Sequence, residues 1–314
     1  MTRVRRPIGV GFGPGTVGLA SPTDVLDYGR VADQLGFSHF WVNDHLSWTE
    51  PLLDPLVLLG SIAAVTERIE LGTGVYLLPL RSPVATARAF ASLDYLSGGR
   101  ALLGVGVGGE FAEDFAAAGV PIRGRGIRTD QALRLIRQLW HDDKEVVWSD
   151  DFYTLQGTTV LPHPLRNPLP VIVGGRSDAA LRRVARLGDG WMPYLMAPER
   201  LERSLGTLDG FLGAESRSRD DVRVIAHVFI CFGDAVEQAR ESAIQYLSRQ
   251  YKADMTRAVE KSVPHGPPEA CAEMLMRYFD AGATEVVIRP LVTGDAQLDT
   301  LRGPATSTMV ALQR

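Results

Sequence analysis

The chain has 314 residues, 45% of them hydrophobic and 22% charged, as expected of a soluble globular enzyme. A formal net charge of -4 excludes a general nucleic-acid binder, which needs a basic face, but leaves open a local basic pocket for a small anion. No apolar run approaches a membrane span. The two cysteines, Cys231 and Cys271, have neither metal nor redox spacing and read as small buried residues of a reduced compartment.

The N-terminal MTRVRRPIGVGFGPGTVGLAS has the basic start, apolar middle and small-residue end of a secretory signal. Gly9, Gly11, Gly13, Pro14 and Gly15 would break the helical middle that such a signal requires. The segment reads instead as a first strand, IGVGF (8–12), followed by a glycine-rich loop, and a cytoplasmic protein is expected. A helix follows over 23–36, closed by Gly36, then a strand over 38–43. The next helix, 54–69, takes Asp54 as N-cap and Pro55 at its first position. After a strand over 70–78, residues 82–100 repeat the device: Ser82 caps, Pro83 opens and Gly98-Gly99 stops the helix.

A strand over 101–107 leads through a glycine-rich, charged stretch into a helix over 129–143. Residues 145–162 alternate like a hairpin. Then come strand 170–175, helix 177–188, the strand-like DGWMPYL (189–195), a helix near 198–213 and strand 222–232. Helices near 234–248 and 267–281 precede the last strand, 284–290.

Strands that are apolar throughout, rather than alternating, fit a parallel sheet buried on both faces. Eight strand–helix units make an α/β fold of the (β/α)8 TIM-barrel class, one domain over 1–314 with insertions near 108–128, 145–165 and 249–266. A doubly wound open sheet is the competitor, disfavoured because no long break separates two halves.

Catalytic groups of such a barrel sit at the carboxyl ends of its strands. Asp44 and His45 directly follow the second strand, as a site pair or as a turn with a hydrogen-bonded imidazole. LGTGVYLLPLR (71–81) places two glycines inside a strand, and GVGVGGEF (104–111) strips side chains from the fourth strand end before supplying Glu110. Such bare ends would open a slot for a planar ring; close packing inside the barrel is the other explanation. GVGVGG lacks the register and acidic partner of a dinucleotide fingerprint. In VIVGGRSDAALRRVA (171–185), two glycines lead through Arg176 and Ser177 into a helix, which suits either phosphate binding or an ordinary capped turn. The six histidines show no HExxH or paired-ligand spacing, so no metal site is expected, and no GxSxG elbow occurs.

Taken together, residues 71–109, the helix from Arg128 to Trp140 ending RQLW, and residues 170–191 make the chain resemble the bacterial luciferase-like flavin and deazaflavin oxidoreductases over nearly its full length. The resemblance implies a barrel, commonly dimeric, that binds coenzyme F420 or FMN at the carboxyl ends of its strands. By the same resemblance, Gly74-Val75 matches a non-prolyl cis peptide behind the cofactor ring. Gly106, Val107 and Gly108, at the end of the fourth strand, are further expected cofactor-binding residues. Gly174, Gly175 and Ser177 match the phosphate-binding turn, with Arg176 beside it. Asp44-His45 matches the Asp-His pair of the F420-dependent branch.

Two departures stand out. Val107 replaces a hydroxyl residue of several F420-dependent relatives, which removes one phosphate contact. Glu110 aligns with a proton donor of sugar-phosphate relatives only after a one-residue shift, so that role is not carried over. The expected activity is hydride transfer between F420 and a small organic substrate. His45 would move the accompanying proton, Asp44 would orient it, and Trp48 and Glu110 would line the substrate pocket. An FMN-dependent monooxygenase and a non-catalytic flavin-binding protein are the alternatives.

Overall fold

A computed structural model describes residues 6–12, 21–48, 50–141, 144–294 and 296–313. Eight strands form the barrel: β1 (Ile8–Phe12), β2 (His39–Val42), β3 (Glu70–Thr73), β4 (Ala101–Gly106), β5 (Val171–Gly174), β6 (Gly190–Met192), β7 (Arg223–Phe232) and β8 (Glu285–Pro290). Each pairs in parallel with the next, and β8 pairs with both β7 and β1, so the sheet closes in chain order. This is the (β/α)8 barrel expected from the strand–helix count. Helices pack outside it, among them Pro22–Leu35, Pro83–Ser97, Arg125–His141, Asp178–Leu187, Pro198–Ala214 and Pro268–Asp280. No described helix is long and apolar enough to cross a membrane.

Alternate residues of each strand face inward, and they sort into three levels. At the amino-terminal mouth, Arg223 makes a bidentate pair with Glu285 (2.6 and 2.7 Å) and reaches Glu70 (2.7 Å). His39 Nε2 lies 3.1 Å from Glu285, and His39 Nδ1 accepts from the Trp41 indole (2.7 Å). Above this ionic closure lies an apolar plug of Trp41, Leu102, Ile172, Met192, Ile225 and Val287. The level at the carboxyl mouth is uneven. Glycines occupy β4 and β5 (Gly106, Gly174), whereas β7 and β8 present His227, Phe229 and Arg289.

Two elements depart from the sequence reading for identifiable reasons. The helix expected over 54–69 covers only Pro55–Ala63. The buried Asp33 carboxylate accepts from the amides of Glu67 (3.0 Å), Arg68 (3.2 Å) and Ile69 (2.9 Å), so these no longer bond back to helix carbonyls. The strand expected over 70–78 is interrupted. Gly72 pairs with Leu102 but Tyr76 pairs with Val105, which leaves one extra residue on this side. The bulge contains the cis peptide Gly74–Val75.

The helices Ala112–Ala118, Thr256–Ser262, Ala296–Thr300 and Thr306–Leu312 were not anticipated. The hairpin does form, from Val146–Ser149 and Thr154–Thr158. Most of the loop expected after β1, including Gly13, Pro14 and Gly15, lies outside the described residues, as do 142–143 at the expected helix end.

Candidate functional site

A cleft opens at the carboxyl mouth, and its walls come from nearly every strand end. Of the residues singled out from sequence, Asp44, His45, Trp48, Gly74, Val75, Gly106, Gly108, Glu110, Gly174 and Gly175 line it. Val107, Arg176 and Ser177 do not.

The glycines fall into two groups. A Cβ on Gly72 would stand 2.4 Å from the Trp41 ring, and one on Gly104 would stand 1.7 Å from the Thr73 carbonyl oxygen. These two serve packing inside the barrel, the plainer of the two explanations. A Cβ on Gly106 or Gly174 would instead meet the Val75 side chain, at 2.4 and 2.8 Å. The strand ends are therefore not a bare slot. They make room for Val75, which the bulge carries over them and whose isopropyl group faces the cleft. Thr73 ties the bulge down by donating from Oγ1 to the Gly104 carbonyl (2.7 Å), and the Gly74 amide donates to Val42 (2.7 Å).

The expected pairing of Asp44 with His45 needs correction. Asp44 is buried and accepts from the Leu77 amide (2.9 Å) and from Arg81 (2.6 Å), which fixes the end of β2 against the segment after the bulge. Burial pushes its carboxyl upward in pKa against the opposing pull of Arg81 and the Leu77 amide. His45 turns to Asp114 instead: Nδ1 lies 2.8 Å from Oδ2, while the other carboxylate oxygen accepts from the amides of Leu46 (2.7 Å) and Ser47 (2.9 Å). A carboxylate in this position accepts a hydrogen bond from Nδ1–H and leaves Nε2 free to exchange a proton. The imidazole stacks on Trp48, with centroids 4.2 Å apart, and Phe111 meets both rings edge-on.

Sequence reasoning missed Asp114 because the helix that bears it was not anticipated. Its signal was present in FAEDFAAAG, with acidic residues in the first turn and Gly119 as a left-handed stop at φ 64°.

Glu110 stands half-exposed at the rim, hydrogen-bonded to the Tyr194 hydroxyl. Arg176 lies 3.6 Å from Glu110 and stacks over the Tyr194 ring at 4.5 Å. Desolvation in the cleft pushes the Glu110 carboxyl up, partly countered by Arg176 and His45. Arg176 is thus already engaged by protein groups. Ser177 caps the helix Asp178–Leu187 by accepting from the Ala180 amide (3.3 Å). Only Gly174 and Gly175 of this turn reach the cleft, and Gly175 adopts φ 122°, where side chains are strained. Across the mouth, His227, Phe229 and Arg289 complete the lining together with Tyr194, Gln250 and Tyr251.

Comparison with known proteins agrees with this architecture. A family profile described as Luciferase-like monooxygenase matches residues 7–285. An uncharacterized protein of Mycobacterium tuberculosis is 38% identical over 154 residues, which are 49% of this chain and 52% of that protein, so this match spans about half of each. The F420-dependent glucose-6-phosphate dehydrogenase of Microbacterium testaceum is 27% identical over 293 residues, covering 85% of this chain and 87% of that enzyme. A solved F420-dependent secondary alcohol dehydrogenase, in complex with an F420-acetone adduct, has a TM-score of 0.85 at 17% identity. It covers 98% of this chain and 99% of its own, a likeness of fold. With a profile match running from β1 into β8 of a closed barrel, the chain belongs to the luciferase-like monooxygenase family.

Proposed function

We propose that the cleft binds coenzyme F420 and that the protein is an oxidoreductase acting on a small organic substrate. The observation that carries this reading is the Val75 bulge, seated over Gly106 and Gly174, facing the same cleft as the His45 imidazole. An apolar cushion of this kind suits one face of a planar tricyclic ring. Gly174 and Gly175, with the helix start at Ser177, would hold the cofactor's phosphate. When bound, the cofactor would supply hydride exchange, which no side chain can provide.

The chain's own residues do the rest. Asp114 holds the His45 ring by Nδ1, so that Nε2 exchanges the proton that accompanies reduction or oxidation. Trp48 and Phe111 wall the imidazole and limit water around it. Glu110, with its raised pKa, is a second proton-holding group at the rim. Asp44 acts as a positioning residue through Leu77 and Arg81. The family resemblance adds a homodimer to the proposal, which light scattering of the purified protein checks.

Parallel fluorescence titrations with F420 and with FMN test the reading. F420 should bind at least about tenfold more tightly. The reverse preference would support the FMN-dependent monooxygenase that the family description also accommodates. Binding of neither would end the proposal.

A further inference from the structure

Arg289 is 4% exposed, yet its side chain forms no hydrogen bond and no ion pair among the described residues. It projects from β8 into the cleft mouth, and its guanidinium carbon lies 5.1 Å from the centroid of the Phe229 ring. Tyr28, Tyr246, Tyr251 and Glu50 are the groups whose fields oppose its loss of charge, but the guanidinium forms no hydrogen bond or ion pair with any of them. The other charges of the molecule's interior behave differently. Arg223, at the opposite mouth, is matched by two carboxylates, and Arg81 and Arg183 each meet one. A guanidinium withdrawn from water without a counter-charge is costly, and a ring quadrupole offsets only part of that cost.

His227 stands beside it. A Cβ on Gly11 would lie 3.3 Å from Arg289 Cβ and 3.4 Å from His227 Nε2, so one missing side chain on β1 leaves room for both groups. Burial and the neighbouring guanidinium hold the imidazole down to a pKa of about 3, so it is neutral at physiological pH and brings no second positive charge. The imidazole side chain also has no hydrogen-bond partner among the described residues, and it too lines the cleft. In a closed barrel of eight strands, β8 is diametrically opposite β4, so this polar pair faces the wall built on Gly106 and Val75.

We propose that Arg289, assisted by His227, is the recognition point for an oxyanion on the substrate, so that the small molecule processed here carries a carboxylate or a phosphate. This rests on the reading of the opposite wall as the cofactor's seat. The guanidinium offers paired N–H donors that match either group, and its burial strengthens each contact. Arg176 does not compete for this role, because Glu110 and Tyr194 already engage it.

The test uses the protein saturated with cofactor, so that any phosphate-binding turn is already filled. Acetate and inorganic phosphate are titrated separately at constant ionic strength against chloride, with cofactor fluorescence and thermal midpoint as readouts. Wild type should respond to at least one of them, and the responding anion identifies the oxyanion class. Arg289→Met should weaken that response by roughly tenfold or more. Arg289→Lys, which keeps the charge but loses the fork, should fall between, and cofactor affinity should stay within about threefold throughout. If Arg289→Met does not fold, Arg289→Gln replaces it.

No anion response beyond chloride, or one that survives in the Met or Gln variant, overturns the proposal. So does a tenfold loss of cofactor affinity, which would assign Arg289 to the cofactor. If no cofactor binds, the reading of the opposite wall fails by itself. The same titrations on the free protein, followed by tryptophan fluorescence, then still decide the role of Arg289.

Discussion

The imidazole of His45 and the carboxylate of Asp114 meet at 2.8 Å although 69 positions separate them in the chain. The same carboxylate accepts two backbone amides from the turn that carries His45, so ring and turn are held as one unit. Asp114→Asn keeps an acceptor for the amides but presents an N–H to Nδ1, which drives the imidazole proton to Nε2. Turnover should fall about 10- to 100-fold, and the pH–rate profile should move. Cofactor affinity should stay within about threefold. Unchanged turnover with an unchanged pH profile would falsify the positioning role.

Removing the imidazole asks a different question. His45→Asn should lower kcat by about 100-fold or more while cofactor affinity changes little, because the proposed role of the ring is to carry a proton rather than to hold a ligand. His45→Ala should do the same and also loosen Trp48, which stacks on the ring at 4.2 Å. Steady-state kinetics alongside a cofactor titration separate the two effects. Equal losses in both quantities would assign His45 to binding instead.

Gly106 leaves no space for even one methyl group, since a Cβ there would approach Val75 Cγ2 to 2.4 Å. Gly106→Ala should displace Val75 toward the cleft and weaken cofactor binding by about tenfold or more, at a stability cost of about 1–3 kcal/mol. Pairing it with Val75→Ala, which vacates the space, should restore much of the affinity. Failure of that rescue in a fluorescence titration would mean that the glycine acts otherwise than by accommodating Val75.

Acid should weaken the fold in two stages. His227 is held to about 3, against an ordinary 6.5, by burial and then by Arg289. The unfolded chain therefore binds its proton first, and stability is lost as pH falls from 6.5 toward 3. Glu285 is held to about 2, against 4.5: burial alone would raise it, but the Arg223 and His39 contacts outweigh that. Its contribution is complete above 4.5 and disappears as pH falls toward 2. Each group adds a slope of at most about 1.4 kcal/mol per pH unit. Denaturation midpoints measured between pH 7 and 3 should decline from the start of that range in wild type. In His227→Gln the decline should begin only near pH 4.5, and a decline as early as wild type's would exclude His227 as its source.

Much of the architecture was legible in the chain itself. Strands apolar throughout, spaced by helices, fit a parallel sheet covered on both faces, and eight such units close it. Once that is settled, residues such as His45 and Gly174 must stand at the carboxyl mouth, because strand direction assigns strand ends to one rim. What required the folded chain were relationships across strands. Gly72 and Gly104 look like Gly106 and Gly174 in sequence, yet the first pair accommodates Trp41 and the Thr73 carbonyl and the second pair accommodates Val75. Adjacent Asp44 and His45 point to different partners, Arg81 and Asp114. Local patterning depends on interactions a few residues long and can be read from a line of letters. The partner of a buried charge is whatever closure of the barrel brings within about 3 Å, and that distance is set only in three dimensions.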